Sequence, residues 1–296
     1  MKSLVTGSAG LIGRQVVKDL TKSINQVYSC YHDSKPEFGI LTLMDLTNFE
    51  SIQKTVEDIK PDIIIHLAAM TNVDLCETQR DLAMKINTKA TKILSKQAAK
   101  IRAYFLYVST DYVFDGKSGM KKVNDTPNPV DFYGESKLAG ERAVMDLASS
   151  WCIARTSTPF GLHPTKKSFP LWVTKNLQSK KEIQVVTDQY TSPTYVPNLS
   201  QMIIELATRQ ISDIIHVAGA SRISRYDMAK SVAEKLNLDS NLLKTTSIND
   251  MNWTAKRPRD SSLDISKATS ILKVKPISID EGLDLFVKEI KPQFNR

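Results

Sequence analysis

The 296 residues are 41% hydrophobic and 24% charged, with a net charge of +8, the make-up of one large globular domain or two joined ones. No apolar run approaches the roughly 18 residues that a bilayer-crossing helix needs, so no membrane partner is expected. The basic residues are dispersed, as in "SKQAAKIR" and "LQSKKE", without interleaved aromatics, which points to a solvated surface and a small anionic ligand rather than nucleic acid.

The chain opens "MKSLVTGSAG", whose apolar piece runs straight into glycines instead of forming a signal peptide, so a cytoplasmic location is expected. Strand "KSLVT" stops at Thr6. Gly7, Gly10 and Gly13 follow in a G-x-x-G-x-x-G spacing, then a helical pattern, "LIGRQVVKDLTKS". Tight exit from a strand, close approach to a pyrophosphate and a helix N-terminus with free N–H groups all favour glycine, so a dinucleotide site is expected here.

The second strand, "QVYSCY", runs into "HDSK". NAD(H) would be served by an acid at the strand tip. Here the tip is Tyr31 and His32, with Asp33 later. Arg14, His32, Ser34 and Lys35 would instead surround a 2′-phosphate, which favours NADP(H) and leaves NAD(H) open, while Lys35 also reads as a solvated loop lysine. Strand "GILTL" is followed by Asp45 and Leu46. Asp45 reads both as a cap before the helix "NFESIQKTVEDI" and as an acceptor for an adenine amino group. After strand "DIIIHLA", Ala68, Ala69 and Met70 stand where a flat cofactor passes, and small side chains permit close approach. A long helical pattern, "TQRDLAMKINTKATKILSKQAAK", leads to strand "AYFLYVS", which ends in Ser109, Thr110 and Asp111. Strand ends of this kind face the ligand crevice in open α/β sheets, although "STDYVFDG" is also a turn signal.

Tyr133 and Lys137, in "VDFYGESKLAGERA", lie four residues apart on one helix face. An ammonium beside a phenol favours the phenolate, and the phenol becomes a usable proton donor to a carbonyl that receives hydride; the lysine also reaches ribose hydroxyls. Gly140, one turn on, suits close backbone approach. Strand "WCIART" completes a strand–helix repetition that implies a doubly wound, parallel, Rossmann-type α/β sheet over residues 1–160. From "TSTPFGLHPTKKSFP" the pattern reads first as loop, then as helices at 170–180, 197–208, 224–236 and 281–290 with a strand at "DIIHVAG". Residues 161–296 are thus expected to form mainly a smaller substrate-binding lobe, with some segments returning to the first domain. Cys30, Cys76 and Cys152 are widely spaced and read as reduced apolar thiols; His32, His66, His163 and His216 stand alone, so no metal site is expected.

The blocks "TGSAGLIG", "HLAAMTNVDLCE", "STDYVFDG", "YGESKLAGE", "ARTS", "DQYTSPTYV" and "RPRDSSLD", in that order, resemble the extended short-chain dehydrogenase/reductases, and within them the dTDP-4-dehydrorhamnose reductase subfamily. The resemblance implies an NADPH-dependent reductase of a 4-keto-6-deoxy nucleotide sugar. Tyr133 would be the proton donor, Lys137 its partner and ribose ligand, and Thr110 the hydrogen-bond donor to the substrate carbonyl, with Asp111 beside it. Gly10, Leu11 and Ile12 would lie against the pyrophosphate, and Ala68, Ala69 and Met70 would border the cofactor. Arg257 would be a candidate for the sugar-nucleotide diphosphate, and the resemblance suggests a homodimer. Two positions depart from the pattern. Thr158 stands where rhamnose-forming members carry a wall tryptophan, and Gln15 where metal-bridged dimers carry glutamate. The chain also resembles the regulatory β subunit of methionine adenosyltransferase, which implies an NADP-binding partner protein instead. A nucleotide-sugar epimerase or dehydratase fits less well, since Asp111 is followed by Tyr112 rather than a second acid.

Overall fold

The computed structural model describes residues 1–24 and 26–294. Strand and helix alternate through β1 (Lys2–Thr6), α1 (Leu11–Leu20), β2 (Gln26–Tyr31), β3 (Ile40–Leu43), α2 (Phe49–Ile59), β4 (Ile63–His66), α3 (Val73–Thr78), α4 (Arg80–Ala83), a π-helical stretch at Met84–Lys89, α5 (Ala90–Ile101), β5 (Tyr104–Thr110), α6 (Phe132–Leu147) and β6 (Trp151–Thr156). The remainder comprises β7 (Pro159–Phe160), α7 (Phe169–Gln178), β8 (Ile183–Val186), β9 (Tyr190–Thr191), β10 (Thr194–Tyr195), α8 (Val196–Thr208), β11 (Ile214–His216), β12 (Ile223–Ser224), α9 (Arg225–Lys235), β13 (Leu243–Thr246), α10 (Ser266–Ile271) and α11 (Ile279–Phe294).

Seven strands pair in parallel in the order β11-β6-β5-β4-β1-β2-β3. Their side chains alternate between two covered faces. Val5, Ile63, Ile65 and Leu106 pack with Val16, Val17 and Leu20 of α1 and with α8, while Leu4, Ile64, Phe105 and Tyr107 pack with α2 and α5. Each such large side chain taken from water stabilises the fold by roughly 1.5–3 kcal/mol. The strand order reverses at β1, which has β2 on one side and β4 on the other. A ligand crevice therefore opens beyond the carboxyl ends of β1 and β4.

Residues after 160 do two things. Phe160, Leu171, Val173, Met228, Val232, Leu283 and Phe286 form a separate core of α7, α9 and α11. In between, α8 covers α1 and β11 extends the main sheet next to β6. Two sequence expectations need correction. The single long helix expected through residue 100 breaks at Gln79, which leaves helical geometry, and widens into π geometry at Met84–Lys89, where Asn87 is needed for a tertiary contact described below. The expected loop after Thr156 contains β7, held in parallel to β10.

Candidate active site

The glycine loop occupies the switch point. Gly7 adopts φ +67, and a methyl there would stand 2.8 Å from the Ala68 nitrogen. A methyl on Gly13 would stand 2.1 Å from the Gly7 carbonyl oxygen, so α1 starts pressed against the loop. Gly10 is the cap residue of α1 and has no side chain to cover the first turn, leaving the N–H groups of Leu11, Ile12 and Gly13 without intrahelical acceptors. Across the crevice, Thr6 Oγ1 accepts from the backbone N–H of Leu67 (3.1 Å) and of Ala68 (3.0 Å). Ala68, Ala69 and Met70 thus lie beside the loop, all partly buried. This cradle, which any Cβ would fill, fits the backbone approach that a dinucleotide pyrophosphate requires.

The cationic cage expected for a 2′-phosphate is not gathered as such. Arg14 donates from Nε to Glu37 at 2.9 Å and stacks over Phe38, so its guanidinium is shared with an acid overlooked in the sequence. His32 lies 3.1 Å from Asp33 and 3.8 Å from Asp45, and Lys35 is exposed. The Arg14–Glu37 pair is itself open to solvent and worth at most about 1 kcal/mol, so it restrains Arg14 weakly. Asp45 closes a turn by accepting from the Thr47 N–H at 2.7 Å, whereas the cap of α2 is Asn48. Leu46 packs partly buried against the α2 side of the core.

Tyr133 and Lys137 share the inner face of α6, whose N-terminus is capped by Asp131. The Lys137 ammonium is buried, donates to the Val108 carbonyl at 2.8 Å and sits 4.0 Å above the Tyr107 ring. Burial draws its pKa down to about 7, against the pull of Glu141. Tyr133 departs from the sequence expectation of an acidified phenol. Burial holds it above its ordinary value, a hydrogen bond with Thr110 acts the other way, and Asp111, Cys76 and Asp131 push it further up. Burial thus outweighs whatever the neighbouring ammonium supplies to the phenolate.

Behind this pair runs a polar chain. Because Thr6 Oγ1 already accepts two N–H groups, its proton goes to His66 Nδ1 (2.7 Å). His66 Nε2 then carries hydrogen and donates to Thr91 (3.0 Å), which donates to the Asn87 carbonyl (2.8 Å). Burial, then the charge of Lys137, holds His66 at about 3, so it is neutral. The Asn87 side chain accepts from the Met70 N–H (2.8 Å) and donates to Ser136 (2.9 Å). The π-helical stretch thereby ties the loop after β4 to the helix that carries Tyr133. A methyl at Gly140 would lie 2.5 Å from the Tyr107 hydroxyl, so this helix must approach β5 closely.

On the outer side, Thr110 is at the end of β5 and donates to Asp111 (3.0 Å). Asp111 also accepts from Ser157 (2.7 Å), and burial raises its pKa against hydrogen bonds from Ser261, Ser157 and Thr110 and the charge of Arg225. Burial likewise lifts Asp131 to about 6. Arg257 lies over Trp253 and is paired with Asp74 at 2.8 Å, so the guanidinium expected to take a diphosphate already has an acid partner. Thr110, Asp111, Tyr133 and Lys137 therefore converge. Sequence reasoning missed Asn87, Ser157, Thr191 and Arg225; a lone asparagine in mid-helix and the hydroxyl-rich "ARTST" and "DQYTS" stretches were the available signals.

A family model, the RmlD substrate binding domain, matches residues 1–291. The chain is 32% identical over 288 residues to the "Probable low-salt glycan biosynthesis reductase Agl14" of Haloferax volcanii, covering 96% of each. It is 32% identical to methionine adenosyltransferase 2 subunit beta of Xenopus tropicalis over 91% of this chain and 82% of that one. Among solved structures it resembles the dTDP-4-dehydrorhamnose reductase of Bacillus anthracis in complex with NADP, with a TM-score of 0.88 and 32% identity over 98% of this chain and all of that one.

Proposed function

This chain belongs to the RmlD substrate-binding-domain family, and from that premise we propose that it is an NADPH-dependent oxidoreductase that reduces the carbonyl of a 4-keto-6-deoxy nucleotide sugar. The observation that carries the reading is the meeting of Thr110, Tyr133 and Lys137 at the carboxyl edge of the sheet, beside a glycine cradle. Gly7, Gly10, Leu11, Ile12 and Gly13 would hold the pyrophosphate, Ala68, Ala69 and Met70 the flat rings, and Asp45 and Leu46 the adenine, while Arg14 and His32, on exchanging Glu37 and Asp33 for the ligand, would join Lys35 on the 2′-phosphate. Reduced nicotinamide, when bound, supplies the hydride. Thr110, on turning its proton from Asp111 to the substrate, orients the sugar carbonyl by hydrogen bonding. Tyr133, protonated throughout the neutral range because burial keeps its phenol high, gives its proton to the developing alkoxide. Lys137 would hold the ribose hydroxyls and, as an ammonium, offset the negative charge left on the phenolate. Neutral His66 and the Asn87 amide keep α6 and the loop after β4 in register.

The named reductase relatives support this reading, and the NADP complex of a structural neighbour supports the cofactor. Oxidation of NADPH that depends on dTDP-4-keto-6-deoxyglucose is the expected result. Absence of turnover together with capture of a methionine adenosyltransferase would favour the second reading, a regulatory subunit, which the likeness to the β subunits supports.

A further inference from the structure

Among the described residues, five other arginines each have an acid partner. Arg14 faces Glu37, Arg155 is held by Glu141, Arg222 by Asp260, Arg257 by Asp74 and Arg259 by Asp188. Arg225, the first residue of α9, is different. Among the described residues no carboxylate oxygen lies within 4 Å of it, and the hydrogen bond its guanidinium makes is a long one, 3.5 Å from Nη2 to Thr158 Oγ1. A guanidinium carries five donors, so most of this fork has no protein acceptor. The group is nevertheless partly buried and held in place, with its face 5.1 Å from the centre of the Phe169 ring.

Its position is defined by hydroxyls. Thr158 hydrogen-bonds Thr191 at 2.5 Å, Thr191 hydrogen-bonds Ser157 at 2.7 Å, Ser157 donates to Asp111 at 2.7 Å, and Asp111 accepts from Thr110, the neighbour of Tyr133. Thr158 keeps φ +41, a strained conformation for a β-branched residue, and does so with its hydroxyl turned into this chain. The hydroxyls of Thr158, Thr191 and Ser157 thus connect Arg225 to Asp111.

We propose that Arg225 is a specificity-determining residue that recognises the glycosyl ring through paired oxygen acceptors, its guanidinium fork taking two neighbouring hydroxyls. This deepens the nucleotide-sugar reading and rests on it. A planar fork matches paired oxygens on one ligand. Charge decides between neutral hydroxyls and a sugar carboxylate. Asp111 ends the hydroxyl chain that runs from Arg225 through Thr158, Thr191 and Ser157, so a second acid on the fork would be set beside an acid already in the cleft. The occupant is thus neutral and hydroxylated.

Calorimetric titration of the full chain with dTDP-glucose and UDP-glucose, with the parent nucleoside diphosphates, and with UDP-glucuronate separates the possibilities. Arg225→Leu is expected to weaken the better-bound neutral nucleotide sugar by roughly 10–100-fold, leaving the nucleoside diphosphate and NADPH within about twofold. Arg225→Lys, which keeps the charge and loses the fork, should fall between. An equal loss on the nucleoside diphosphate would place Arg225 on the phosphates and overturn the proposal. So would tighter wild-type binding of the glucuronate that Arg225→Leu abolishes. If the wild type binds NADPH but no nucleotide sugar, the reductase reading fails along with this one; if it binds and Arg225→Leu changes nothing, this one fails alone.

Discussion

Tyr133 and Lys137 carry opposite burdens from the same burial: the phenol is held protonated, and the ammonium is brought to the edge of losing its charge. A proton donor that stays loaded is useful in a reductase. Tyr133→Phe should lower kcat by about 10²–10⁴-fold with NADPH affinity unchanged, measurable by steady-state kinetics and fluorescence titration. Lys137 has its pKa lowered to about 7 by burial, so the ammonium is present below that pH and disappears above it. The free-enzyme profile of kcat/KM should therefore decline as pH rises through about 7; a profile flat to pH 9 would show the lysine firmly charged. At Arg14, replacing its acid partner should free the guanidinium, so Glu37→Gln is expected to tighten NADPH about two- to fivefold with little change for NADH, roughly the value of an exposed ion pair. The spacing of Tyr133 and Lys137 was readable because four helical residues put them on one face. The direction of the phenol's shift was not, since it depends on burial that no local pattern encodes.

At the scale of elements, the glycine turn, α6 and the π-helical stretch fix the site. Gly13→Ala would drive a methyl into the Gly7 carbonyl oxygen and push α1 off the loop, so a loss of roughly 1–3 kcal/mol in denaturant unfolding and a larger loss of cofactor affinity are expected. The G-x-x-G-x-x-G spacing made this turn legible, because only a few backbone shapes demand glycine so often. The π-helical stretch left no comparable mark. Its cause is a tertiary bond, Asn87 to the Met70 backbone, between segments 17 residues apart. Asn48 likewise displaced Asp45 as the cap of α2, a choice between two cap-forming residues three positions apart that turn geometry settles.

Across the whole molecule, α6 is anchored to β6 by a buried bidentate pair, Glu141 accepting from Arg155 Nε at 2.9 Å and Nη2 at 2.7 Å. Removing one partner strands the other charge, so Glu141→Ala should cost about 3–5 kcal/mol in equilibrium unfolding. Acid should weaken the fold as well. His66 is buried neutral with its pKa near 3, against an ordinary 6.5, so the unfolded chain binds the extra proton first; the stability it contributes is complete above about 6.5 and lost as pH falls toward 3. The parallel sheet was legible in runs such as Ile63–Ile64–Ile65, which suit a strand covered on both faces, alternating with helical patterns. Less legible was the way residues beyond 160 divide, with α8 and β11 returning to the sheet while α9 brings Arg225 to the cleft. That seam depends on contacts between distant segments.

The most direct test of the central claim follows the hydrogen itself. NADPH deuterated at the transferable nicotinamide position is incubated with dTDP-4-keto-6-deoxyglucose, and the sugar product is read by mass spectrometry. Deuterium on the former carbonyl carbon with the wild type, and its near-absence with Tyr133→Phe, is the predicted result. An unlabelled sugar with the wild type, or equal labelling by the variant, would contradict the account.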